Sequence, residues 1–165
     1  MKKLMLGTFI GGLLVMGTSL VSHPHFRKTV STKLGSADVK ISYQTVTGNE
    51  SYARAAAVGQ FLSPRAPQFE NSAELTGAGV SIPQGTYTVG VVKNGENDWS
   101  MVLYPGRPGS SMDMDRAIIL DSMFSTELGT AEHILIDITP GQGKHEGLAT
   151  LTIHFGSLFI SGALS

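Results

Sequence analysis

The histidines of this chain raise its first chemical question. They are His23, His25, His133, His145 and His154. Neutral imidazole is the commonest ligand for zinc and copper, and such an ion wants three or four donors converging. His25 lies near the N-terminus, while His133 and His154 sit in the apolar runs HILIDIT and LATLTIHF near the C-terminus. His25, His133 and His154 are the candidate metal set, with Glu132 or Asp137 able to complete it. Isolated surface histidines are the alternative reading.

The acidic pair Asp113 and Asp115, in DMD, resembles the start of a calcium loop. Ala117 stands at the third ligand position and no glycine follows in place, so the EF-hand pattern fails. The two carboxylates remain candidates for ligand binding, or for a hydrolase that pairs them with a histidine. Gly141-Gln142-Gly143-Lys144 fails as a phosphate loop: Ile138 stands where the first glycine belongs and His145 where a magnesium-binding hydroxyl belongs. No Gly-x-Ser-x-Gly elbow occurs. Two aromatics are candidates for ligand contact, Trp99 and Phe159. For Trp99 the choice lies between stacking on a sugar and packing in the core beside Met101 and Leu103.

Hairpins must position these residues. DVKISYQT alternates Val39, Ile41 and Tyr43 with Lys40, Ser42 and Gln44, the period of a half-buried strand. In SIPQGTYTVGVVKNGENDWSMVLYPG, Pro83-Gln84-Gly85 and Asn94-Gly95-Glu96-Asn97 are turn chemistry. They predict a meander, from a strand near 73–82 to one at 86–92 and then to the strand of Trp99. Tyr87, Val89 and Val91 share one face; Trp99, Met101 and Leu103 share another. YARAAAVGQF reads as a short helix at 52–61, and the prolines of SPRAPQ as a loop. At the C-terminal end, Gly156-Ser157 makes a two-residue hairpin loop that pairs Phe155 with Leu158. Pairing Ile134 with Ile153 puts His133 opposite His154, with Phe159 beside it. The reading as a whole is an all-β antiparallel sandwich or open barrel of about eight to nine short strands.

Formal net charge is −1, which leaves no electrostatic footprint for nucleic acid. MKKLMLGTFIGGLLVMGTSLVS has the two lysines and short uncharged core of an export signal. That core is short for a bilayer span, which takes about 20 apolar residues. The expected organisation is a signal peptide at 1–22 and a single β-sandwich domain at 23–165. After signal removal no stable membrane span is expected, and the location is periplasmic or secreted. With 0 cysteines the exported chain has no disulfide and must be held by its core.

Several stretches together resemble the domain-of-unknown-function (DUF) 2911 family of exported bacterial proteins. HPHFRKTVS is similar to its Ser-Pro-His-x-x-Val-Ser opening, VKISYQTVTGN to its first long strand, and SIPQGTYTVGVV with DWSMVL to its Pro-x-Gly-Thr-Tyr hairpin and Asp/Glu-Trp-Thr strand. LTIHFGSLFIS resembles its closing hairpin. The family's Trp-Arg before the central strand is missing here, where FLSPRAPQFENSAEL keeps only Glu70-Asn71-Ser72-Ala73. The resemblance implies an all-β fold and export, and it implies no catalytic residue.

The function expected from these readings is an exported binding or structural module, with a sugar, peptide, small-molecule or envelope partner. The alternatives are a metal-binding protein, or a hydrolase using loop carboxylates and histidines. No cofactor is expected other than a metal ion.

Overall fold

The computed structural model describes residues 25–108 and 112–165. The expected signal segment at 1–22 lies outside them, as do residues 109–111 of the loop before Asp113. Alternating apolar residues make strands throughout, and the fold is all-β and antiparallel as the period-two pattern predicts. Thirteen strands form among the described residues, more than the eight or nine expected, because several are only two to four residues long.

The first sheet contains β1 (Arg27–Leu34), β2 (Ala37–Gln44), β3 (Phe61–Leu62), β4 (Gln68–Asn71), β7 (Gly85–Gly95), β8 (Asp98–Pro105) and β9 (Ile118–Ile119). Its order is β1-β2-β4-β7-β8-β9, with β3 continuing β4's side of β7. The second sheet contains β10 (Ser122–Ser125), β11 (Ala131–Pro140), β12 (Ala149–Gly156) and β13 (Leu158–Leu164), in the order β10-β13-β12-β11. β5 (Leu75–Gly77) and β6 (Val80–Ile82) form a separate hairpin.

Tyr87, Val89, Val91, Trp99, Met101 and Leu103 all point into the shared core, as their alternation predicts. They meet Ile136, Leu151, Ile153 and Ile160 of the second sheet, each no more than 3% exposed. Burial of such side chains is the main favourable term in folding, about 1.5–3 kcal/mol for each. Gly162 brings the sheets close: a Cβ there would lie 2.8 Å from Cβ of Met101 and 2.9 Å from Cβ of Leu120.

The sheets are also joined along their sides. After β2 the chain reaches β11, where Ile134 N–H donates to Val46 O at 2.9 Å and Gly48 N–H to Glu132 O at 3.1 Å. On the other side, Leu120 N–H donates to Met101 O at 3.0 Å, and Met101 N–H to Ser122 Oγ at 2.9 Å. The apolar run RAIILDSM therefore contributes to both sheets, β9 to one and β10 to the other, with Leu120 and Asp121 at the crossing.

Three local expectations are corrected. Residues 73–82 are two strands rather than one, because Ala78 and Gly79, at φ 49 and 89, turn the chain back on itself. The helix expected at 52–61 is only α1 (Glu50–Arg54), ending at Ala55. The β11–β12 register is displaced by two residues: Ile136, not Ile134, pairs with Ile153, and His154 lies opposite Leu135 rather than His133. An irregularity between Ala131 and Leu135 accommodates the difference. His133 instead bridges to Thr47. The closing hairpin is as expected, with Phe155 opposite Leu158, His154 opposite Phe159, and Gly156 at φ 55 in the loop.

Candidate functional site

At one end of the sandwich the two sheets part around a cleft of about 360 Å³. Its floor is apolar: Val46, Leu62 and Val91 from the first-sheet side, and Ile134, Ile153 and Phe155 from the second. Alternation in β7, β11 and β12 turns these side chains inward. The cleft opens here because β3 is a two-residue strand, followed by a loop in which Arg65 and Ala66 hold positive φ. Among the described residues no long strand covers this end.

The segment carrying α1 crosses the mouth. Ala53 is 3% exposed and lines the cleft, while Tyr52, also at its edge, is 63% exposed. Around the rim stand Thr47, Asn49, Gln60 and Ser63. Asn49 Oδ1 accepts the Tyr52 N–H at 2.9 Å, and Gln60 Oε1 accepts the Ala57 N–H at 3.0 Å. Their amide NH2 groups have no protein acceptor among the described residues. No described residue lining the cleft carries a charge. The arrangement can enclose an uncharged apolar body and offer hydrogen bonds to one polar end of it.

Two anchors hold α1, and neither is adjacent to it in sequence. Glu50 Oε2 accepts the Ser157 N–H at 2.7 Å, and Oε1 accepts the Ser157 hydroxyl at 2.8 Å. Arg54 Nε donates to Glu50 Oε1 at 2.7 Å, and its Nη2 to Ser157 Oγ at 3.2 Å. The Ser157 N–H bond, then the Arg54 guanidinium, hold the Glu50 carboxyl below its ordinary value. At the other end, Lys93 Nζ on β7 donates to the carbonyls of Arg54 and Ala56.

The sequence-predicted metal ligands are not brought together. Among the described residues no group of three His, Cys, Asp or Glu side chains is placed to hold an ion. His25 Nδ1 lies 3.2 Å from Thr45 O, and His154 Nε2 lies 3.3 Å from Gly129 O. Each contact uses one ring nitrogen and leaves the other free, so it is the separation of the three histidines, not their hydrogen bonds, that leaves the expected set unassembled. Asp113 Oδ1 caps the Asp115 N–H at 3.1 Å, opening the 3-10 turn Met114–Arg116, and both carboxylates are exposed. That role is ordinary for an aspartate before a helical turn.

Trp99 is 1% exposed, against Phe124 at 6.5 Å, so its face is not offered to a sugar at the surface. Phe159 is half-buried on the outer face of the second sheet, edge-on to His154 at 5.7 Å. It borders a groove of about 510 Å³ shared with Ser161, Thr150, Gln142 and Leu128.

Sequence reasoning missed one pairing, that of His145 with Asp121. His145 is 0% exposed, and its Nε2 faces Asp121 Oδ2 at 3.1 Å. Lys144 pairs with Asp121 Oδ1. The lysine, then the histidine, draw the Asp121 carboxyl below its ordinary value. The carboxylate makes Nε2 the protonated nitrogen, and the buried Nδ1 has no partner among the described residues. Sealed from solvent, this imidazole holds the 3-10 turn Gly143–His145 against the sheet crossing rather than meeting a substrate. GQGKHEG carries only a loop signal, because its partner Asp121 lies 24 residues away.

No family model, curated protein or solved structure matches this chain. Among the described residues no helix is long and apolar enough to cross a membrane.

Proposed function

We propose that the protein is an exported binding module that holds a small, uncharged, largely apolar ligand between its two sheets. The carrying observation is the cleft: about 360 Å³, apolar in its floor, uncharged in its lining, with amide and hydroxyl groups at the rim. That volume falls within the range of small-molecule sites, and convergent polar groups at one end would orient a ligand. The leader-like N-terminus and the resemblance to the DUF2911 family support export to the periplasm or medium. Fold alone does not decide function, so the weight rests on the cleft.

Titration with N-phenyl-1-naphthylamine, a neutral dye that brightens in apolar surroundings, tests this reading. Saturable enhancement is expected in the wild type and not in Ala53→Phe, whose ring would occupy the cleft. The reading fails if no saturable signal appears, or if a folded Ala53→Phe protein binds the dye as the wild type does.

A second reading draws on the groove at Phe159, where a half-buried ring meets hydroxyl and amide groups. A sugar ring or peptide side chain would suit it. Glycan titration followed by Phe159→Ala separates it from the first.

A further inference from the structure

A helix of five residues cannot hold itself together in water, since nucleation alone outweighs so few hydrogen bonds. α1 therefore owes its place to what fastens it. The fastenings fall on different sheets. On the N-terminal side, Gly48 N–H donates to Glu132 O of β11 at 3.1 Å, and Glu50 grips Ser157 in the β12–β13 loop. On the C-terminal side, Gly59 N–H donates to Lys93 O of β7 at 2.8 Å, and the Lys93 ammonium reaches the Arg54 and Ala56 carbonyls.

The residues between Gly48 and Gly59 thus form a bridge from one sheet to the other across the mouth of the cleft. Gly59 has φ 83 and open space around its Cα, so it tolerates rotations that other residues resist. At Gly48 a Cβ would meet Cβ of Phe155, a cleft residue, at 2.8 Å. The entry point of the bridge is therefore packed on the cleft wall. Ala53 faces the cleft, and Tyr52 lies at its edge toward solvent.

We propose that residues 49–58 are a strap that opens and closes the cleft, with Glu50 on Ser157 as its latch and Lys93 as its second fastening. This rests on the cleft being the ligand site. Release of Glu50 and Arg54 from Ser157 leaves the bridge tied to the second sheet only at its Gly48 end, and the mouth widens beyond that point. Glu50 and Lys93 are positioning residues; neither lines the cleft.

Two readouts on the full chain test the strap separately from the ligand site. Hydrogen exchange of amides 50–57 is expected to accelerate about tenfold in Glu50→Gln and in Lys93→Met, with the central amides of β7 and β12 unchanged, because a hydrogen bond to a charged group is the fastening lost. Dissociation of N-phenyl-1-naphthylamine, by stopped flow, is expected to quicken by about the same factor, while affinity falls less because the entry rate rises too. Unchanged exchange in both variants would overturn the strap, whatever the dye does. So would faster exchange with an unaltered dissociation rate. If the wild type does not bind the dye, the cleft reading falls, and the gating role falls with it. Exchange would then report only whether the fastenings exist.

Discussion

Glu50 grips Ser157 with both carboxylate oxygens, one on the backbone N–H at 2.7 Å and one on the hydroxyl at 2.8 Å, across 107 residues of sequence. This contact ties the short helix at the mouth of the cleft to the last hairpin of the second sheet. It also explains Gly156, the residue before Ser157. A Cβ at Gly156 would lie 2.1 Å from Glu50 Oε2, and φ there is 55.

Gly35 has nearly the same backbone, φ 56, but a Cβ there would have nothing within 4 Å. Gly35→Ala should therefore show the left-handed penalty alone, about 1–2 kcal/mol. Gly156→Ala should exceed it by about 1 kcal/mol or more, since the Glu50 carboxylate must move as well. Urea unfolding midpoints of the two variants check this. Equal losses would mean that the latch contributes nothing to stability.

Acid should release the latch. The folded-state pKa of Glu50 is depressed from 4.5 and that of Asp121 from 3.8. A depressed carboxyl contributes its stability in full above those ordinary values, and that stability is lost as pH falls below them toward the folded-state pKa. The melting temperature should be flat in this respect from neutrality to about pH 5 and then decline. Glu50→Gln should lower the plateau and soften the decline. A variant curve parallel to the wild type throughout would leave Glu50 no part in the acid response.

His145 should matter for stability and its neighbour Lys144 should not. His145→Ala empties a fully buried position and removes one of the two partners of Asp121, with an expected loss of about 2–4 kcal/mol. Lys144→Met removes an ion pair whose lysine is 49% exposed, worth less than about 1 kcal/mol. Chemical denaturation distinguishes the two, and similar losses would contradict the structural role given to the imidazole.

Trp99 is the only tryptophan, so intrinsic fluorescence reports one site. With 1% exposure, its emission should be blue-shifted and nearly insensitive to iodide. Addition of glycans should leave it unchanged. Strong iodide quenching would restore the exposed, sugar-stacking role for this ring.

Much of the fold is written in the period of two. Alternation places Val39, Ile41, Val89, Val91, Met101 and Leu103 inward, and all are core. Register is less legible for a physical reason. A slip of one residue turns every side chain to the other face, but a slip of two preserves the faces. HILIDIT against LATLTIHF satisfies both alignments, and the irregularity that selects the observed one carries no glycine or proline to announce it. β4 escapes notice because QFEN offers one apolar residue, Phe69, and holds its place only by lying between β2 and β7. The cleft is illegible for the same kind of reason. Its floor residues read as ordinary strand interior, and the groups that fasten α1 come from segments over 30 and over 100 residues distant.

The proposed ligand site is the space between the sheets at the α1 end, and the proposed ligand is neutral and apolar. Methyl-detected NMR during titration with N-phenyl-1-naphthylamine would locate such a ligand residue by residue. Saturable shifts confined to Val46, Leu62, Val91, Ile134 and Ile153 are the predicted result. Shifts at Leu128 and Met123 beside the Phe159 groove, or none at all up to the solubility limit of the dye, would contradict it.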